Sequence, residues 1–362
     1  MIMALYGADN FLSIILQNTP ILDVRAEIEF NEGHIPNSTC MPILNNEERA
    51  LVGTRYKQQG QAAAIALGMK LVSGETKVQR LQEWRNFFRV YPEGLIACFR
   101  GGLRSKTTQA WLAEAGVDRP RLIGGYKAFR QFLIGQLELL ARQSAFTVVS
   151  GATGSAKTHL LQALKSQRAV IDLEELANHR GSVFGSLGLQ PSQAIFENRL
   201  SYVWIQMAHT EPGKFIIEDE SRMIGRCAQP QAVFEKLRAS SIVLIEEPIH
   251  RRVENIYHDY VHGQCSESMF DKYLLALQQI SRRLGGLRHG EIKADIELAR
   301  DQWRRTYETE INKLWIEKLL QYYYDPLYTN SLQRRQPNIL FQGSRLAVFE
   351  YLHSQVDNQV TY

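Results

Sequence analysis

The sequence predicts an α/β chain built on parallel sheets, and three observations carry that prediction. Short apolar runs such as Ile21-Leu22-Asp23-Val24, Leu95-Ile96-Ala97-Cys98 and Phe146-Thr147-Val148-Val149 read as buried strands. Helical periods lie between them, as in Val78 to Val90, where Leu81, Trp84, Phe87 and Phe88 recur at three- and four-residue spacing. Strands that alternate with helices pair in parallel, because the helix is the crossover.

Length and composition narrow the class. At about 150 residues per domain, 362 residues suggest roughly two domains. A 44% hydrophobic and 22% charged composition argues against a largely disordered chain. No apolar stretch approaches the ~18 residues of a membrane span, and the first residues lack a signal-peptide pattern, so a cytoplasmic location is expected. A net charge of +4 permits a nucleic-acid partner without implying one. The four cysteines, Cys40, Cys98, Cys227 and Cys265, form no C-x-x-C pair, which argues against a zinc site and a disulfide framework.

Three zones follow in order. Residues 1–140 carry the first strand–helix alternation and end in a helical stretch, Lys127 to Arg142. Residues 141–265 carry a second, with β-prone runs Lys214 to Glu218 and Ser241 to Glu246 that end in carboxylates. Such strand ends commonly open onto a site. Residues 266–362 read as helical, with Phe270, Tyr273, Leu274, Leu277 and Ile280 marking one face and Ile311, Leu314, Trp315, Leu319 and Tyr322 another.

In the first zone, Cys98-Phe99-Arg100-Gly101-Gly102-Leu103-Arg104-Ser105 follows a strand and precedes the helix-like run Lys106 to Ala115. Glycines let successive amides curl around the sulfur. Those dipoles, the helix start, Arg100 and Arg104 favour a thiolate and could hold an oxyanion. With Asp23-Val24-Arg25, Gly33-His34-Ile35-Pro36 and Gly124-Gly125-Tyr126-Lys127, the segment resembles a rhodanese domain. That resemblance implies a chalcogen carried on Cys98 and leaves Asp23, Arg25 and His34 as framework.

In the second zone, Gly151-Ala152-Thr153-Gly154-Ser155-Ala156-Lys157-Thr158 follows a strand and matches the phosphate-loop pattern except at Ala156. Such a loop turns its amides to a phosphate, reaches across with lysine and holds Mg²⁺ through threonine. Diphosphate binding is therefore expected of Gly151, Gly154, Ser155, Ala156, Lys157 and Thr158. Alanine at 156 suits a negative φ and is unfavourable at a positive one. Glu218-Asp219-Glu220 ends a strand and could complete an Mg²⁺ site, with Thr158 and Asp219 as the expected ligands. Arg180, in the polar stretch Asn178 to Gly185, is a further candidate anion contact.

The two zones together closely resemble the tRNA 2-selenouridine synthase family. The matching blocks include Asn45 to Arg49, Val52-Gly53-Thr54, Tyr56 to Gly60, Cys98 to Ser105, Gly124 to Lys127, Leu176 to Ser182, Pro191-Ser192-Gln193 and Glu218 to Gly225. Fainter matches run through Arg282 to Gly286 and Tyr323 to Pro326. Family members usually keep glycine where Ala156 stands, and glycine-alanine where Asn37-Ser38 stands. The resemblance implies a rhodanese-like domain, a P-loop NTPase-like domain with a helical C-terminal extension, and action on the wobble uridine of tRNA. It implies geranyl diphosphate and selenophosphate as co-substrates, and an S-geranyl-2-thiouridine intermediate. Cys98 would then handle selenium with the active loop Arg100, Gly101, Gly102 and Arg104, while the phosphate loop would bind the diphosphate.

Basic and aromatic residues interleave in Arg282 to His289 and Trp303 to Tyr307, a pattern that binds RNA phosphates and unpaired bases but also makes ordinary solvated helix faces. Two rival readings stand beside the family one: a P-loop ATPase or kinase fused to a sulfurtransferase, and a tRNA-binding adaptor whose phosphate loop has decayed at Ala156.

Overall fold

The structure, a computed structural model, describes residues 5–179, 188–211 and 213–355. The chain divides into two compact units, Met1–Arg142 with Pro191–Pro212, and Gln143–Gln190 with Gly213–Tyr362. Among the described residues no helix is long and apolar enough to cross a membrane.

In the first unit, β1 (Leu5–Tyr6), β2 (Ile21–Asp23), β3 (Ser38–Cys40), β4 (Leu95–Ala97) and β5 (Arg121–Leu122) form a parallel sheet in the order β1-β5-β4-β2-β3. Successive side chains alternate between its faces. Ile21, Leu95 and Ala97 pack with Phe11, Phe129 and Ile205, whereas Leu22, Ile96 and Cys98 pack with Trp84, Trp111 and Leu112. Helix Gln193–Thr210 follows the phosphate loop in sequence yet belongs to this unit. Arg130 holds it through Asn198 at 2.7 Å and Glu197 at 2.6 Å.

The motifs at the start of the chain are framework here. Arg25 and Asp23, each 1% exposed, form an ion pair at 2.6 Å, and the same guanidinium donates to Gly33 O and lies 4.2 Å from the Tyr126 ring centroid. His34 stacks on Phe30, and its carbonyl accepts from Asn198. Asn37, where the family has glycine, has φ +61°, a conformation that asparagine tolerates.

In the second unit, β6 (Ala145–Gly151), β7 (Val170–Ile171), β8 (Lys214–Glu218), β11 (Ile242–Ile245) and β12 (Ile339–Gly343) make a parallel sheet in the order β12-β11-β6-β8-β7. A small antiparallel pair, β9 (Met223–Ile224) with β10 (Cys227–Ala228), stands apart. The last zone, read from sequence as helical, returns β12 to the sheet edge. Its run Ile339-Leu340-Phe341 is short, follows a proline and is largely exposed, so it carries little strand signal. Helices Glu267–Leu284, Gly286–Thr306 and Asn312–Leu319 share a core of Phe270, Tyr273, Leu277, Ile296 and Trp315. Leu314, expected on the buried face, is 49% exposed.

Candidate active site

The phosphate loop lies between β6 and helix Lys157–Leu164. Gly154 has φ +82°, and a Cβ there would stand 2.8 Å from Arg252 O, so glycine is required on both counts. Ala156 has φ +60° and ψ +40°, the unfavourable of the two cases weighed from sequence. An L-residue held there costs about 1–2 kcal/mol. The loop is gripped from outside: Arg252 and Asn255 donate to the carbonyls of Thr153 and Gly154, and Arg252 makes a two-pronged pair with Asp325 at 2.7 Å. Lys157 Nζ folds back to Gly151 O at 2.8 Å, and Ser155 Oγ is buried without a hydrogen-bond partner among the described residues.

A cavity of about 340 Å³ opens over this loop. Its lining includes polar residues, among them Lys157, Thr158, Glu174 and Glu220, and apolar or aromatic ones, among them Tyr273, Trp315, Ile316, Leu319 and Leu320. Of the predicted diphosphate residues, Gly154, Ala156, Lys157 and Thr158 line it, while Gly151 and Ser155 do not. A π-helical turn, Leu320–Tyr324, carries Leu320 and Tyr324 into the lining.

Thr158 Oγ1 donates to Glu174 Oε2 at 3.0 Å. Oxygens of Glu174, Glu218 and Glu220 lie within 4.8 Å of one another. Glu218 is fully buried; its Oε1 accepts the Glu174 amide at 2.6 Å, and its Oε2 has no hydrogen-bond partner among the described residues. Burial, then the charge of Glu174, raises Glu218 well above the usual carboxylate range. Burial and Glu174 likewise push Glu220 up to about 8, against the pull of Lys157. Crowded acid oxygens with an orphan among them fit a divalent cation. Asp219, the carboxylate expected from sequence, does not line this cavity: it accepts Ser150 Oγ at 2.6 Å and pairs with Arg335 at 2.8 Å.

Cys98 follows β4, and helix Leu103–Glu114 begins earlier than its sequence period indicates, so Arg104 and Ser105 sit in its first turn. The period-two pleat turns Cys98 toward Trp84 and Trp111, where it is 2% exposed. Its Sγ donates to Ser105 Oγ at 3.1 Å. Gly101 (φ +63°) and Gly125 (φ +57°) let the loop and the late glycine pair approach closely; a Cβ on Gly125 would collide with Cys98 O. Arg121 holds Gly101 O at 2.7 Å. Of the expected anion-binding arginines, Arg100 is exposed, and Arg104 makes a two-pronged pair with Glu29 at 2.6 and 3.1 Å. Burial raises the Glu29 carboxyl, but Arg104 and Arg49 outweigh it, and the net shift is downward. Burial, helped by Asp23, pushes Cys40 to about 12, and burial raises Cys227 and Cys265. Those three remain thiols at neutral pH.

A family model described as the tRNA 2-selenouridine synthase AAA domain matches residues 144–359. A tRNA 2-selenouridine synthase of Nitrosomonas eutropha is 45% identical, with 96% of this chain and 97% of that one covered. This chain belongs to the tRNA 2-selenouridine synthase family. Its relatives in Bdellovibrio bacteriovorus (45% identical, 96% and 97% covered) and Alcanivorax borkumensis (43% identical, 96% and 98% covered) carry the same name. The solved N-terminal domain of a Clostridium difficile 630 chain named for ATP/GTP binding is 34% identical, covers 36% of this chain and 99% of its own, and has a TM-score of 0.33.

Several residues of this family member escaped sequence reasoning. Glu174 sits in an ordinary helix start, Leu173–Leu176, and only the return of β8 beside β7 brings Glu218 to it. Arg335 and the apolar wall come from the far end of the chain. Among the basic candidates, Arg282 and Arg283 are exposed, Arg288 lies 5.0 Å from the Tyr322 ring, Arg304 is paired with Glu267, and Trp303 packs on Phe270. Arg180 lies outside the described residues.

Proposed function

We propose that this chain converts wobble 2-thiouridine of tRNA to 2-selenouridine through an S-geranyl intermediate, with geranyl diphosphate and selenophosphate as co-substrates. The observation that carries the prenyl step is the mixed lining of the cavity, a phosphate loop together with Tyr273, Trp315, Ile316, Leu319 and Leu320. A diphosphate bonded to a hydrocarbon chain matches both kinds of lining.

In the first reaction the thiouridine sulfur attacks the allylic C1 of geranyl diphosphate. The C–O bond breaks, pyrophosphate leaves, and the base loses its N3 proton. The loop amides and the Lys157 ammonium, released from Gly151 O, take up the charge on the leaving oxygen. Glu174, Glu218 and Glu220, with Thr158, would hold a divalent cation, whose contribution is charge neutralisation of the diphosphate. The apolar wall holds the chain and keeps water from the allylic carbon.

In the second reaction selenium replaces the geranylated sulfur, which leaves as a thiol far more readily than a thiocarbonyl sulfur can. The first unit is read as rhodanese-like, and Cys98 handles selenium at the foot of its loop. Glu29 keeps Arg104 ordered beside that loop, and Arg100, exposed and 5.7 Å over the Phe99 ring, is placed for selenophosphate or its phosphate product. Exposed basic residues such as Arg282, Arg283 and Arg305 are available to anticodon-loop phosphates.

Mass analysis of tRNA nucleosides after incubation with geranyl diphosphate and selenophosphate, separately and together, tests this reading. S-geranyl-2-thiouridine with the first alone and 2-selenouridine with both are expected. Turnover of ATP with no change of nucleoside returns the ATPase reading, and RNA affinity with neither activity returns the adaptor.

A further inference from the structure

The family blocks Asn45 to Arg49, Val52-Gly53-Thr54 and Tyr56 to Gly60 have no role in either reaction as described above. They lie on the helical segment Asn46–Leu71, which is broken at Gly60 (φ +80°, ψ −174°). A Cβ on Gly68 would stand 3.7 Å from Val52 Cγ2. In a straight helix those residues would be about 24 Å apart at 1.5 Å per residue. The segment is therefore a helical hairpin folded back at Gly60, and its two arms face each other through small residues.

The hairpin walls a second cavity, of about 720 Å³, that lies wholly in the first unit. Its lining is mainly apolar, with Leu44, Val52, Ala64, Ile65, Met69 and Trp111, and Gly53 opens into it with no atom within 4 Å of its would-be Cβ. Ile43, Val72 and Trp111 of this lining belong to the same core cluster as Cys98. Leu103 and Arg104, which immediately precede the Ser105 that holds the Cys98 sulfur, complete the wall. Arg49, Lys57 and Arg104 stand around the apolar interior, with Glu29 as the one acid in the lining. Apolar side chains remain at the surface here, among them Leu51 (54% exposed), Tyr56 (58%) and Met69 (49%).

Resting on the geranyl reading above, we propose that this cavity receives the geranyl chain of S-geranyl-2-thiouridine tRNA during the selenium exchange. The selenation site would then carry its own prenyl pocket, distinct from the one over the phosphate loop. Its apolar interior suits the hydrocarbon, and Arg49 and Lys57 suit the phosphates of the RNA that carries it. In the exchange, selenium of a selenophosphate held at the Cys98 loop attacks C2 of the base and a C–Se bond forms. The C2–S bond then breaks, and the geranylthiolate takes a proton and leaves as geranylthiol. Water cleaves the P–Se bond to release phosphate and 2-selenouridine, with no net oxidation or reduction.

The test uses the full-length protein, pre-geranylated tRNA and, in parallel, tRNA whose 2-thiouridine carries an S-methyl group. Gly53→Leu fills the cavity without strain, and Ile65→Asp places a charge in it. Both variants should raise KM for selenation of pre-geranylated tRNA by about tenfold or more, the equivalent of roughly two buried methylene groups lost. Turnover of S-methyl tRNA and geranylation from geranyl diphosphate should stay at wild-type values. Retention of the wild-type KM for pre-geranylated tRNA by folded Gly53→Leu and Ile65→Asp proteins overturns the proposal. An equal loss on S-methyl tRNA overturns it too, in favour of a general RNA-docking surface. Wild-type protein that geranylates tRNA but shows these outcomes sinks this inference alone; wild-type protein inert toward geranyl diphosphate and pre-geranylated tRNA sinks the underlying reading with it.

Discussion

Arg335 Nη1 lies 2.8 Å from Asp219 Oδ1, joining the helix Asp325–Arg335 to the exit of β8. The guanidinium is 3% exposed and also donates to the carbonyls of Leu237, Arg238 and Ser240. Asp219 is thus the counter-charge of a buried arginine. Asp219→Ala should cost about 3–5 kcal/mol of stability, because it strands that charge. Its affinity for Mg²⁺ should stay near wild type, whereas Glu220→Gln should lose most of it. Urea unfolding and calorimetric Mg²⁺ titration check the pair; an Asp219 variant that loses Mg²⁺ affinity at unchanged stability restores the assignment made from sequence.

Ala156 occupies a left-handed conformation between Ser155 and the helix start. Ala156→Gly should stabilise the chain by about 1 kcal/mol, the relief of left-handed strain less the extra freedom glycine brings to the unfolded state. The same change should lower the KM for geranyl diphosphate, because the loop needs less reordering around the phosphates. A lowered urea midpoint for the glycine variant would contradict the strain argument.

Lys157→Ala should abolish geranylation while selenation of pre-geranylated tRNA survives. Cys98→Ala should do the reverse. Nucleoside mass analysis of both proteins reads the two outcomes, and loss of both activities in either variant argues against separate sites.

Glu29 holds Arg104 and Arg49. Its folded pKa lies below the ordinary 4.5, so the unfolded chain binds more protons in that interval. The stability it contributes is complete above about 4.5 and is lost as the pH falls through the lower folded value. Glu29→Gln should therefore be less stable than wild type near pH 7, and the gap should close as the pH falls below about 4.5 through the lower folded value. Paired urea titrations across that range measure it; a gap that widens in acid would mean Glu29 is not the stabilising partner.

Local chemistry made the Cys98 loop and the 151–158 loop legible. Cys98 with its glycines and Gly151 to Thr158 are contiguous, and each stands between a strand and a helix, so pattern alone located them. The acid cluster was not legible in the same way. Glu218, Asp219 and Glu220 are equivalent as residue types, and strand alternation, with Glu174 on one side and Arg335 on the other, divides their roles. The burial of Cys98 and the capture of Arg104 by Glu29 also depend on elements distant in sequence.

What the sequence determined by itself was the α/β character, the family, and the two backbone turns that favour negative charge, because each depends on neighbouring residues and their conformational preferences. Tertiary structure decided which side chains meet across the sheets: the apolar lining of the Lys157 cavity, the Glu174–Glu218–Glu220 group, the Arg335–Asp219 pair and the hairpin cavity beside the Cys98 loop. Those are long-range contacts, and their energies come from burial and from charges stripped of water, quantities that exist only once the chain has folded.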